Sequence, residues 1–193
     1  MTHDRVIVAT PEQLVAVVKM LVSVVRNIHL KRALVEVNED PKLNFWRLMH
    51  GNLMDMAVID WCKVFGSDDE QKQKLHWNNV VDDQDGFREG LLRHIGLDET
   101  CWCTYWNSMK KYRDQHAAHA DFDKRDVKHY PMLNLALTSS YFYYGQIIGE
   151  LHRLGKMRYP LDFEAYGEKF FEQAVVIGRT AAEATQDVVE RVY

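Results

Sequence analysis

Residues 98–121, DETCWCTYWNSMKKYRDQHAAHAD, carry the clearest helical pattern in the chain. Six large or ring-bearing side chains recur at steps of three, four, three, four and three residues: Trp102, Tyr105, Met109, Tyr112, His116 and His119. This spacing puts them on one side of an α-helix, as in a helical bundle. Asp98 is a suitable N-cap for that helix. The segment therefore predicts a helix that packs one side against other helices.

The same periodicity recurs on both sides of this segment. Capping and proline signals predict further helix starts at Pro11 after Thr10, at Pro41 after Asp40, and at Asp85, Pro131 and Asp162. Residues 67–83 have no clear period, and we expect a short helix and a loop there. No strand pattern is long enough to build a sheet. The sequence predicts an all-α, up-down bundle of about five to six helices, in a single domain over residues 1–193.

Two sets of apolar residues are assigned to packing. The last helix is expected to bury one face, formed by Phe163, Tyr166, Phe170, Ala174, Ile177, Ala181, Ala184 and Val188. The aromatic run Tyr141 to Tyr144 is expected in the core or between subunits, and the pair Trp102 and Trp106 in the core. Because the apolar seams of the helices from Pro131 and Asp162, with the run Tyr141 to Tyr144, exceed what one small bundle needs to bury, we expect a symmetric homodimer.

Composition narrows the class of protein. The chain has 193 residues, 47% of them hydrophobic and 27% charged, with a formal net charge of −4. This charge argues against a protein that coats nucleic acid non-specifically. The three cysteines form no Cys-x-x-Cys pair, which fits a reducing cytoplasm. The apolar run Leu14–Val25 is interrupted by Lys19 and predicts no membrane span. We expect a soluble cytoplasmic protein.

Residues 113–119 concentrate groups that can do chemistry near neutral pH. His is the side chain whose free pKa lies closest to 7, and Arg offers a planar set of donors that fits a phosphate. Arg113 and His116 lie roughly 60° apart on a straight helix, whereas Arg113 and His119 lie about 120° apart. Arg113 and His119 therefore converge only if the helix ends between them or a second chain completes the site.

The spacing of Arg113 and His119, with a polar Asp114 after the Arg, resembles the motif of the higher eukaryotes and prokaryotes nucleotide-binding (HEPN) superfamily. The flanks resemble its abortive-infection branch over residues 40–145. The matching pairs and short segments are Phe45-Trp46, Asp60-Trp61, Phe65-Gly66, His76-Trp77, Tyr112-Arg113-Asp114 and Ala118-His119-Ala120-Asp121.

This resemblance implies a homodimer whose paired motifs line a cleft, and often a metal-independent RNA endonuclease of toxin or defence type. Carried over, Arg113 and His119 would be catalytic and Asp114 would position them. An RNA substrate, a nucleotide and an antitoxin protein are the partners this implies, with no cofactor, metal or membrane. From the residues alone, Lys110, Lys111 and His116 are candidates to contact the substrate.

Three other interpretations remain open at this stage. His116 and His119 continue a packing seam, so both can be buried histidines without a function. A non-catalytic module of the same fold would bind a nucleotide or a partner protein. His116, His119 and Asp121 also offer nitrogen and oxygen ligands for a metal-dependent hydrolase, although their spacing matches no established metal motif.

Overall fold

The computed structural model describes residues 9–67, 73–117 and 130–190. These residues form six α-helices and no strand, which confirms the predicted all-α bundle. The helices are α1 (Pro11–Val37), α2 (Asn44–Phe65), α3 (Gln84–Ile95), α4 (Glu99–Tyr112), α5 (Asn134–Arg153) and α6 (Phe163–Thr185). A 3₁₀ turn (Trp77–Asn79) precedes α3, and a π-helical turn (Arg113–Ala117) continues α4.

Helix α1 is the central element of the bundle. It packs against α2, α5 and α6, and its buried side includes Leu14, Leu21 and Ile28. With 27 residues it is long and apolar enough to cross a membrane, unlike the shorter run considered in the sequence. The core helix of a soluble protein passes the same test of length and composition. Its contacts with three other helices account for its apolar side.

The second helix begins later than the capping signal at Asp40 and Pro41 predicts. Its first residue is Asn44, and the side chain that caps it comes from the far end of the chain. The Glu190 carboxylate accepts hydrogen bonds from the backbone N–H groups of Asn44 (2.6 Å) and Phe45 (2.9 Å). A carboxylate is favourable at a helix N-terminus. This tertiary contact replaces the local cap.

The segment between α2 and α3 is fastened by a buried histidine. The Nε2 atom of His76 lies 2.8 Å from the carbonyl oxygen of Gly66, and its Nδ1 lies 2.6 Å from Asn78 Oδ1. These contacts hold the 3₁₀ turn against the end of α2. Among the described residues 73–83 this 3₁₀ turn is the helical element, and residues 68–72, where the expected short helix would begin, lie outside the described part.

The expected buried face of α6 is only partly correct. The buried residues of this helix are Phe163, Gly167, Ala174 and Gly178, whereas Ile177 is 69% exposed. Small residues at Gly167, Ala174 and Gly178 let α6 approach α1 closely, and this rotates the larger side chains outward. The helix also ends at Thr185, before Val188. The start of α5 at Asn134 is likewise three residues after Pro131.

Among the described glycines, Gly167 lies closest to side chains of other helices, and we expect Gly167→Ala to destabilise the fold. An added Cβ would collide with Tyr141 Oη and would lie 2.8 Å from His29 Nε2, atoms that contact each other at 2.8 Å. Overpacking of this kind costs about 1–3 kcal/mol. In the control Gly178→Ala the new atom meets only side chains at 3.6 Å, so stability should be unchanged or slightly higher. Urea unfolding compares the two, and equal midpoints would contradict the close approach.

His29 makes the stability of the fold depend on pH. Burial, with a contribution from the charge of Arg32, lowers the pKa of His29 from 6.5 to about 4. At a pH between these two pKa values, His29 is protonated more often in the unfolded chain than in the folded chain. The free energy of unfolding therefore decreases as pH falls from about 6.5 to about 4. The uncharged variant His29→Gln should show a shallower decrease in urea titrations at pH 7, 6 and 5. An unchanged slope would show that other groups cause it.

Candidate functional site

The candidate site lies where α4 ends. Helix α4 begins with the Asp98 cap that the sequence predicts, since Asp98 Oδ1 accepts the backbone N–H of Cys101 at 2.7 Å. Its seam residues Tyr105, Met109 and Tyr112 are buried. The Tyr112 hydroxyl donates to Asp55 Oδ1 at 2.7 Å, which fixes the end of α4 on α2. Burial and this acceptor raise the pKa of Tyr112.

Arg113 is the first residue of the π-helical turn. Turns of this type occur often at functional sites, because the wider turn redirects the side chains that follow it. The Arg113 guanidinium contacts Asp114 Oδ1 through both Nε and Nη2 at 2.7 Å. The Arg113 side chain is only 23% exposed, against 52% for Asp114. Asp114 therefore lies on the solvent side and holds the guanidinium in place.

Cys62 lies beneath Arg113, on the neighbouring helix α2. Burial raises the pKa of the Cys62 thiol to about 11, although the positive charge of Arg113 beside it acts in the opposite direction. The thiol is therefore protonated at neutral pH and is not poised as a nucleophile. Lys110 and Arg113 are three residues apart, so they lie on the same side of the helix.

The described structure contains only part of the predicted site. Arg113, Asp114, Lys110 and Lys111 are described, and Lys111 is exposed. His119 lies outside the described residues. His116 belongs to the π-helical turn, but its side chain is outside the described part. The convergence of Arg113 with either histidine therefore stays a prediction.

The metal alternative also falls largely outside the described residues, because His119 and Asp121 do. Within the ranges that are described, no group of three or more His, Cys, Asp or Glu side chains could hold a metal ion. The alternative set of ligands is therefore neither supported nor contradicted by the geometry.

The burial of the aromatic side chains agrees only in part with the prediction from the sequence. Phe142, Tyr143 and Tyr144 are in the core as predicted. Trp102 and Trp106 instead pack on the edge of the core and remain half-exposed. With Trp77 they line a pocket of about 340 Å³ beside the end of α2, which we call the tryptophan pocket. The sequence carried no local signal for this exposure, since Trp102 belongs to the predicted seam.

Comparisons of the chain with protein-family models, with curated proteins and with solved structures found no match. A function therefore has to be inferred from the chemistry of Arg113 and its neighbours and from the resemblance of the motif.

Proposed function

We propose that this chain is a HEPN-like, metal-independent RNA endonuclease of toxin or defence type that acts in the cytoplasm as a homodimer. The observation that supports it is the placement of Arg113. An arginine that is three-quarters buried, oriented by an adjacent carboxylate and located at a π-helical turn is preorganised to bind an anion. The motif adds His119 six residues later.

The chemistry follows from these two residue types. A histidine near its free pKa can take a proton from the 2′-hydroxyl of RNA or give one to the leaving 5′-oxygen. Arg113 would stabilise the charge that builds on the phosphoryl oxygens. Two chains would supply two such pairs, enough for both proton transfers. Lys110 and Lys111 on the same helix end would attract the phosphate backbone.

The direct test incubates the purified protein with end-labelled RNA in the presence of EDTA. The wild-type protein should cut the RNA, and the double variant Arg113→Ala/His119→Ala should not. Cleavage that EDTA abolishes would favour the metal-dependent hydrolase instead. RNA or nucleotide binding without cleavage by the wild-type protein would favour the non-catalytic module.

The exposed face of α6 supports the association of two copies of the chain, apart from the placement of their Arg113 sites. Val176 and Ile177 are 67% and 69% exposed at its centre. In an antiparallel pair of α6 helices centred on Val176, Lys169 would lie opposite Glu183 of a second copy, because both are seven residues from the centre. Glu172 would lie near Arg179 of the second copy. The charge pattern is therefore complementary to itself under two-fold symmetry.

We expect Ile177→Glu to produce monomers, because it would bury a charge at the centre of this interface. Met157 is exposed to a similar extent, at 66%, so Met157→Glu is the matched control and should remain dimeric. Light scattering at micromolar concentration measures both.

Lys169→Glu should weaken the dimer through repulsion by Glu183, and adding Glu183→Lys should restore it. A wild-type monomer would contradict the proposal.

A further inference from the structure

One face of α4 connects the tryptophan pocket to the candidate site. Four half-exposed side chains lie along this face and its continuation: Trp102, Trp106, Lys110 and Arg113. At 100° per residue they fall within about 80° of each other. They follow the edge of the buried seam, so each has one side against the protein and one side toward solvent. From Trp102 to Arg113 the face is about 16 Å long.

The tryptophan pocket is built from rings whose positions are fixed. The indole N–H of Trp106 donates to the carbonyl oxygen of Phe65 at 2.5 Å. Trp102 packs edge-on against Trp61, with ring centroids 5.9 Å apart. Trp77 is stacked on Phe87 at 4.7 Å. Because core contacts hold these rings, little conformational entropy would be lost when a flat ligand binds against them.

Cationic groups accompany the rings. Lys110 Nζ lies 4.1 Å from the centre of the Trp106 ring, and Arg88 Cζ lies 5.9 Å from that of Trp77. Glu99 is the one acidic side chain among the described residues that line the pocket. Toward the end of α4, Lys110 is followed by Arg113, whose charge is balanced in part by Asp114. The face therefore combines aromatic surface with positive charge along its length.

We propose that the tryptophan pocket and this face of α4 bind single-stranded RNA and lead it to Arg113. A base would stack against the pocket rings, and Lys110 would contact a phosphate between that base and the cleavage site. Aromatic surfaces with interleaved cations are typical of single-strand binding, because bases stack on the rings while cations follow the backbone. Bases in a duplex are already stacked and paired, so they cannot enter such a pocket. This inference rests on the proposed function and names its substrate class.

The test measures binding separately from cleavage. The probe is a fluorescein-labelled, mixed-sequence 2′-O-methyl RNA ten nucleotides long, which lacks the free 2′-hydroxyl needed for cutting, and the readout is fluorescence anisotropy. Trp106→Leu removes the aromatic face and keeps an apolar side chain. It should weaken binding about fivefold to 150-fold, the range measured for loss of one stacked base. Trp106→Phe keeps a ring and should retain most of the affinity.

Lys110→Gln provides a second test that does not alter a core contact. It should weaken binding. The slope of log affinity against log salt concentration should also become shallower by about 0.7, which is the contribution of one neutralised phosphate of a single strand. Lys156→Gln, a lysine that is exposed on the loop after α5, is the matched control and should keep the wild-type slope. Circular dichroism checks that each variant is folded.

Two results would overturn the inference: unchanged affinity in both Trp106→Leu and Lys110→Gln, or equal affinity of the wild-type protein for double-stranded RNA. These outcomes differ from failure of the proposed function. If the wild-type protein cuts RNA but the variants bind the probe RNA with wild-type affinity, only the proposed RNA-binding face is wrong and the nuclease proposal stands. If the variants lose binding while the wild-type protein cuts no RNA, the binding face is supported and the nuclease proposal fails.

Discussion

His119→Ala should slow RNA cleavage by about a hundredfold to ten-thousandfold, the range for loss of a general acid or base. The histidine is proposed to move a proton in the reaction, so its loss should lower kcat much more than it weakens substrate binding. Arg113→Ala should cost about a hundredfold to a thousandfold, as loss of an oxyanion donor does. Single-turnover cleavage of labelled RNA in EDTA measures both. Arg158→Ala replaces an exposed arginine and is the matched control.

The proposed reaction also fixes the identity of the products. The 2′-oxygen attacks the adjacent phosphorus and loses its proton to a base, while the bond from phosphorus to the 5′-oxygen breaks and that oxygen gains a proton. The products would be a 2′,3′-cyclic phosphate and a free 5′-hydroxyl. A substrate with one 2′-deoxy nucleotide at the cleavage site should therefore remain intact. If that substrate is cut, the 2′-hydroxyl is not the nucleophile.

Trp61→Ala should produce the largest loss of stability in the described core, about 3–5 kcal/mol. Trp61 is fully buried, stacks on Phe65 with ring centroids 5.3 Å apart, and donates its indole N–H to Ser139 Oγ at 3.0 Å. Truncation would leave a large cavity between α2, α4 and α5 and remove this donor. Chemical unfolding in urea measures the change in free energy.

Two variants define the control for this prediction. Trp61→Phe keeps most of the apolar volume and should cost less than Trp61→Ala. Leu48→Ala truncates a side chain that is 64% exposed and should change stability by less than about 0.5 kcal/mol. A Trp61→Ala protein with the unfolding midpoint of Leu48→Ala would show that Trp61 does not support the core.

Local signals in the sequence were enough for the helices whose ends are capped locally. Thr10, Asp98 and Asp162 each accept the backbone N–H three residues later, as their positions predict. Gly96 ends α3 in a left-handed conformation, with φ of 69°, which glycine adopts at little cost. These features depend on residues within one turn, so a sequence pattern determines them.

The candidate site was predictable in part for the same reason. Arg113 and Asp114 directly follow Tyr112 in sequence, so their place at the end of α4 follows from the helical pattern. The contact of Arg113 with Cys62 on α2 was not predictable, because these residues are distant in sequence. The π-helical turn was missed as well, since the seam continues to His119 without interruption in the sequence.

The sequence by itself determined the class of fold, the main helices and the local motif around Arg113, because helical periodicity and caps act over a few residues. Only the tertiary structure decided the start of α2, the face that α6 buries and the exposure of Trp102 and Trp106. Glu190 caps α2 from the other end of the chain, and Gly167 lets α6 approach α1 near Tyr141 and His29. Such contacts join residues far apart in sequence, and packing between helices selects them over the local pattern.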